Sequence, residues 1–124
     1  MRSSDEKKAY FKSLRDRWSK AKQQLADGDI KLIEAIIRTH GLKISNNGFM
    51  FVKMQLDSQG LDGLPYIDAK TYKGWIESGF KVRKGEKSTL DGITWITCDK
   101  KDDDNSFMIP KGYHLFHRSQ VEAC

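Results

Sequence analysis

At 124 residues, with 38% hydrophobic and 31% charged side chains, the chain has the size of one compact domain (residues 1–124) with a modest core and a well-solvated surface. No apolar run approaches the roughly 20 residues needed to cross a bilayer, and the N-terminus lacks a signal-peptide apolar segment, so a soluble, cytoplasmic protein is expected. A formal net charge of +5 and a pI near 9.2 exclude an acidic DNA mimic and favour a polyanionic partner, and two cysteines, Cys98 and Cys124, are too few for a disulfide framework.

In chain order, the first expected element is a helix. Tyr10, Phe11, Leu14, Trp18, Ala21 and Leu25 recur at three- and four-residue steps, Ser3 and Glu6 have capping-box spacing, and Asp27-Gly28 is read as the stop. A second helix is predicted from about Asp29 to Thr39, burying Leu32, Ile33, Ile36 and Ile37 and ending at His40-Gly41. The two would form a helical hairpin over residues 1–42. Asn46-Asn47-Gly48 then marks a turn or cap before Phe49-Met50-Phe51-Val52-Lys53-Met54-Gln55-Leu56, whose pattern suits a short helix or a buried strand equally.

Asp57 to Pro65 reads as a loop, and Asp68 is placed to cap a further helix that ends at Ser78-Gly79 and sets Tyr72, Trp75 and Ile76 on one side. Beyond Gly79 the period changes to two. Phe80 to Val82, Ile93 to Thr97, Phe107 to Ile109 and Tyr113 to Phe116 are strand candidates, with turns expected at Asp91-Gly92, at the acidic tip of residues 100–105 and at Pro110-Lys111-Gly112. The expected fold class is α+β, with N-terminal helices packed on a small antiparallel sheet formed by the C-terminal half.

Charge is placed along this frame in blocks. Residues 1–26 carry a net +5 and residues 70–87 a net +4, while residues 27–69 and 88–109 are acidic on balance. The second basic block holds Lys73, Lys81, Arg83, Lys84 and Lys87 around Gly85. A glycine there lets backbone N–H groups approach a phosphate, while Arg83, Lys84 and Lys87 neutralise it, and Arg83 can also stack on a base. Glu86 is expected to orient Arg83 or Lys87 through an ion pair. Single-strand binding also requires aromatic platforms. Tyr66 and Tyr72 are the preferred ones, with Trp75 behind them, whereas Trp18 is assigned to the core between helices. The plain alternative is a surface turn whose charges only face water.

The order Asn46-Asn47-Gly48-Phe49, Pro65-Tyr66-Ile67, Gly79, Val82-Arg83-Lys84-Gly85-Glu86-Lys87-Ser88-Thr89 and finally Tyr113-His114-Leu115-Phe116-His117-Arg118-Ser119-Gln120-Val121 resembles the N-terminal domain of ArdC-type antirestriction proteins over residues 43–122. The V-R-K-G-E-K segment is its most specific part, and Phe116 with Gln120 is similar to the F-N-x-x-Q ending of that domain. His117 stands where that ending has asparagine, and Tyr66 where a tryptophan is usual. The resemblance implies a single-stranded-DNA-binding module. In the family it commonly precedes a zinc metallopeptidase-like domain in plasmid- and phage-encoded proteins that protect incoming DNA. No H-E-x-x-H occurs in this chain.

Catalytic constellations are weak by comparison. His114 and His117, three apart on a strand, point to opposite faces, and combining them with Cys98 and Cys124 gives no regular ligand spacing. His117 beside Arg118 is instead a candidate phosphate contact. No serine lies in a nucleophile-elbow context, and Asp102, Asp103 and Asp104 form at most a weak nuclease proposal. The expectation is therefore a non-enzymatic module without cofactor or metal that binds single-stranded nucleic acid, DNA favoured. Arg83, Lys84 and Lys87 would sit on phosphates, with Lys81, Lys73 and Arg118 widening the basic surface. The alternative is a protein-interaction module that inhibits a host defence nuclease through its basic N-terminal helix.

Overall fold

The three- and four-residue spacing of the first half resolves, in a computed structural model that describes residues 4–25, 27–99 and 106–124, into three helices. These are α1 (Ser4–Gln24), α2 (Asp27–His40) and α3 (Asn46–Ser58). The stripe read from α1 is the one that packs: Leu14 and Ala21 are buried, and Tyr10, Trp18 and Leu25 lie against the core. Asp27-Gly28 falls in the first turn of α2 rather than stopping α1. The Ser45 hydroxyl accepts from the Gly48 N–H at 3.0 Å and caps α3, so the segment left open between helix and strand is a helix. Its Phe49, Met50, Phe51, Val52 and Leu56 are all buried. A helix apolar on several sides belongs at the centre. Among the described residues α1 and α2 each pack chiefly on α3, so α3 replaces the expected pairing of α1 with α2.

The second half contains β1 (Ala69–Lys70), α4 (Tyr72–Glu77), β2 (Phe80–Val82), β3 (Leu90–Asp99), β4 (Ser106–His117), a 3₁₀ turn (Arg118–Gln120) and β5 (Val121–Ala123). The molecule is thus α+β, as its pattern implied. Strands β1, β4 and β3 form one antiparallel sheet in that order, and β2 pairs antiparallel with β5 in a separate ribbon. The cap of α4 is Thr71, whose Oγ1 accepts from Gly74 N at 3.0 Å. Asp68 does not cap it, because its Oδ2 accepts from Leu64 N at 2.7 Å and closes the preceding turn.

Two expected turns prove to be strand. Asp91-Gly92 lies inside β3 and Pro110-Lys111-Gly112 inside β4, with Gly92 opposite Tyr113, Ile93 opposite Gly112 and Trp95 opposite Pro110. Both glycines are closely approached: a Cβ at Gly92 would overlap the Tyr113 ring, and one at Gly112 would displace the Tyr10 hydroxyl. At Pro110 strand β4 has β3 as its one partner among the described residues, and an edge position tolerates the missing N–H. The expected acidic tip, Asp102, Asp103 and Asp104 included, and the side chain of Cys98 lie outside the described residues.

One face of β3–β4 is covered. Trp95 meets Trp18 edge-on at 5.6 Å, and Ile93 is buried beneath α1 and α3. The Gln55 side-chain amide donates to Asp91 O and accepts from Asp91 N, both at 2.8 Å, acting as a substitute strand at this edge. On the other face Leu90 and Leu115 are buried, but Thr94, Ile96 and Lys111 are exposed. Among the described residues no helix is long and apolar enough to cross a membrane.

Candidate nucleic-acid interface

The basic loop after β2 is a closed turn. Glu86 N donates to Arg83 O at 3.1 Å, and between them Gly85 takes φ 89°, a region that L side chains rarely enter. The turn is fastened to the chain's C-terminal segment rather than to its own neighbours. Arg83 N donates to Gln120 O at 3.0 Å, and the Gln120 side-chain amide donates to Lys87 O at 2.7 Å and to Glu86 Oε2 at 3.2 Å. Its Oε1 accepts from His117 N at 2.9 Å, so every polar atom of that side chain is engaged. Gln120 is the residue that shapes the loop.

His117 completes the clamp from beneath. It is buried, its Nε2 donates to Asp62 O at 2.7 Å, and its Nδ1 accepts from Ser119 N at 3.2 Å, which fixes the tautomer. It cannot contact phosphate, correcting that expectation. His114 is exposed on the opposite face, 3.8 Å from Asp91, as the two-residue period required. Among the described residues no three His, Cys, Asp or Glu side chains are placed to share a metal ion.

The cations divide into two groups. Arg118 donates to Asp62 Oδ2 at 2.6 Å and to Asp68 Oδ1 at 3.1 Å, a pair of carboxylates that hold the 62–68 loop against the 3₁₀ turn. Its charge is matched at home and does not widen the basic surface. Lys73 lies 3.9 Å from Glu77 and Lys81 lies 3.7 Å from Glu122, both in open solvent where such pairs contribute little. Arg83 directs Nη2 to Glu86 at 3.4 Å and to the Ser119 carbonyl, and its Nη1 and Nε have no hydrogen-bond partner among the described residues. Lys84 and Lys87 are exposed and have no ion pair among the described residues. The loop therefore presents two free lysines and half a guanidinium.

The aromatic side chains expected to act together are separated. Tyr72 is 57% exposed on α4 and available for stacking. Trp75 is 4% exposed: its Nε1 donates to Phe116 O at 2.8 Å, Phe80 meets it edge-on at 5.6 Å, and the Lys70 ammonium lies 5.2 Å from its ring. Core area claims this indole, so it is no stacking platform. Tyr66 is half-buried at the uncovered face of β3–β4. Its backbone has φ 64°, a conformation that costs a non-glycine residue about 1 to 3 kcal/mol, and its hydroxyl bonds to that of Tyr113 at 2.5 Å. Burial pushes both phenols above their ordinary value, and the shared hydrogen bond raises Tyr66 further while offsetting part of the rise at Tyr113.

Tyr66 and Tyr113 form one wall of an open concavity of about 560 Å³ completed by Thr71, Thr94, Ile96, Lys111 and Gly112. Sequence reasoning missed this face, since reading 110–112 as a turn hid the strand that sets Lys111 and Tyr113 side by side. Comparison of the chain with protein-family models, with curated proteins and with solved structures finds no match.

Proposed function

We propose that this chain is a non-catalytic single-stranded-DNA-binding module of the ArdC N-terminal kind, serving evasion of host defence by a phage or plasmid. The observation that carries the reading is the fastened loop of residues 83–87, in which Lys84 and Lys87 stand exposed with no carboxylate partner among the described residues, beside a half-engaged Arg83. The backbone of a braced turn loses little conformational freedom when its lysines meet a phosphate, so only the side chains are ordered on binding. An exposed Tyr72 offers a base platform worth about 1 to 3 kcal/mol, and stacking of this type tolerates any sequence. Low sequence specificity follows.

The test is fluorescence anisotropy with labelled oligonucleotides of about 20 to 30 bases, single-stranded and duplex in parallel, over a salt series. Tighter binding to the single strand is expected. Substituting Lys84→Ala and Lys87→Ala together should flatten the slope of log affinity against log salt by about 1.4, at about 0.7 per lost contact. An unchanged affinity and slope would falsify the role of this loop.

A second reading, inhibition of a host defence nuclease through a protein contact, is favoured by one observation. The outer side of α1 exposes Lys7, Lys8, Lys12, Arg15, Lys20 and Lys22, whereas Arg17 is held by Asp91 at 3.5 Å and by the Phe51 ring. A stable complex with a nuclease, together with no salt-sensitive DNA binding, would select it.

A further inference from the structure

We infer that the uncovered face of β3–β4 is a second contact site for the same single strand, with the bases laid against Ile96 and Tyr66 and a phosphate held by Lys111. The inference rests on the single-strand reading above. The register puts Thr94 directly opposite Lys111 and Ile96 opposite Ile109, so these four side chains share one face, while their neighbours Ile93 and Trp95 point into the helices. Ile96 is 41% exposed and Thr94 and Lys111 are also exposed, so nothing in the described structure covers them. The strand residues of this face between 90 and 96 and between 109 and 115 include no carboxylate, and Lys111 has no ion pair among the described residues.

That combination fits one kind of occupant. A concavity with apolar and aromatic walls, threonine and tyrosine hydroxyls and one lysine without an ion pair among the described residues matches a base with its flat apolar face, its polar edge and the adjacent phosphate. The ring of Tyr66 is not there by default: a left-handed backbone and a hydroxyl bond to Tyr113 hold it at the rim, and Gly92 is bare so that Tyr113 can lie across the strand.

The basic loop and this face are also close along the chain. Ser88 and Thr89 lead from Lys87 into β3 at Leu90, and Thr94 lies seven residues beyond Lys87, at most roughly 23 Å away at about 3.3 Å per residue. A stacked strand rising about 3.4 Å per nucleotide covers that distance in about seven nucleotides. One strand of ordinary oligonucleotide length can therefore touch both places.

The experiment compares three proteins on one 20-base oligonucleotide by anisotropy across salt: the unaltered chain, a loop variant (Lys84→Ala, Lys87→Ala) and a face variant (Ile96→Ala, Lys111→Ala). Both face positions are exposed, so the melting temperature should not change. We expect the face variant to bind about tenfold more weakly with a salt slope lower by about 0.7, for one lost phosphate contact. If the face variant binds like the unaltered chain while the loop variant is weakened, the face is not a site and the loop reading survives. If only the face variant is weakened, the face stands and the loop reading falls. No binding by the unaltered chain overturns both. Amide shift mapping on the unaltered chain decides the matter without substitutions: movement at Thr94, Ile96 and Lys111 supports the site, and movement confined to residues 83–87 overturns it.

Discussion

The basic loop after β2 and the bare face of β3–β4 hold charge in opposite ways. The loop segment is rich in cations, yet Lys81 lies beside Glu122 and Arg83 beside Glu86, and from Lys81 to Lys87 only Lys84 and Lys87 have no carboxylate partner among the described residues. Among the described residues the sheet face carries a single lysine and no carboxylate, so that lysine has no partner there to neutralise it. Net charge in a sequence window overstates an anion site wherever acids are interleaved, because a cation that already has a partner gains less from a phosphate. Geometry differs too. The loop is shaped by a single glutamine from the far end of the chain, the face by the pleat of two long strands.

The largest effect expected on either region comes from filling Gly92. Gly92→Val drives a branched side chain into the Tyr113 ring, displaces the Tyr66–Tyr113 wall, and should destabilise the protein by about 1 to 3 kcal/mol, as overpacked sites do. Thermal melting should show a fall of about 4 °C or more. A variant as stable as the parent would mean that Tyr113 can lie elsewhere and that the face is not built around it.

Gln120→Ala removes the clamp of the loop and leaves His117 N and Lys87 O without their partner, a loss of about 1 to 3 kcal/mol. Amide exchange at residues 83–87 should accelerate. Affinity for single strands should fall several-fold while the salt slope stays the same, because all the cations remain and only their preorganisation is lost. A changed slope would show instead that the clamp alters which phosphates are touched.

Alkaline pH loads the face. Tyr66 and Tyr113 have folded-state pKa values raised by burial, so the folded chain keeps protons that the unfolded chain releases. The contribution is fully present below about pH 10 and is lost as pH rises beyond it toward the folded values. Urea melts should therefore show stability falling above about pH 10, and Tyr113→Phe should make that fall shallower. An unaltered slope in the variant would place the phenols in water.

The sequence could be read well where spacing alone decides. The α1 stripe, the strand at residues 80–82 and the end of α4 at Ser78 all stand where their patterns put them. It misled where glycine and proline carry two meanings. Gly92, Gly112 and Pro110 look like turn residues locally, and only the register with Tyr113, the approach of Tyr10 and the single partner of β4 at residue 110 make them strand residues. Long-range partners were the other blind spot. Nothing near Arg118 announces Asp62 and Asp68, and nothing near Lys87 announces Gln120, yet these contacts decide which charges are free. Tyr66 and Trp75 are near along the chain, yet packing sets Tyr66 at the sheet face and buries Trp75 against Phe80.

The smallest effect is the most discriminating between placed charge and diffuse charge. Lys73 lies on α4, beside exposed Tyr72, with its ammonium 3.9 Å from Glu77 and almost wholly in solvent. Lys73→Ala removes one positive charge, as does Lys84→Ala, so a binding mode governed by the overall field would weaken equally in the two variants. A mode governed by the braced loop would not. We expect Lys73→Ala to change stability by less than about 0.5 kcal/mol and single-strand affinity by less than about twofold, with Lys84→Ala clearly weaker in the same titration. Equal losses would mean that the turn around Gly85 confers no advantage beyond its charge, and that the loop and the sheet face differ only in how many cations each happens to carry.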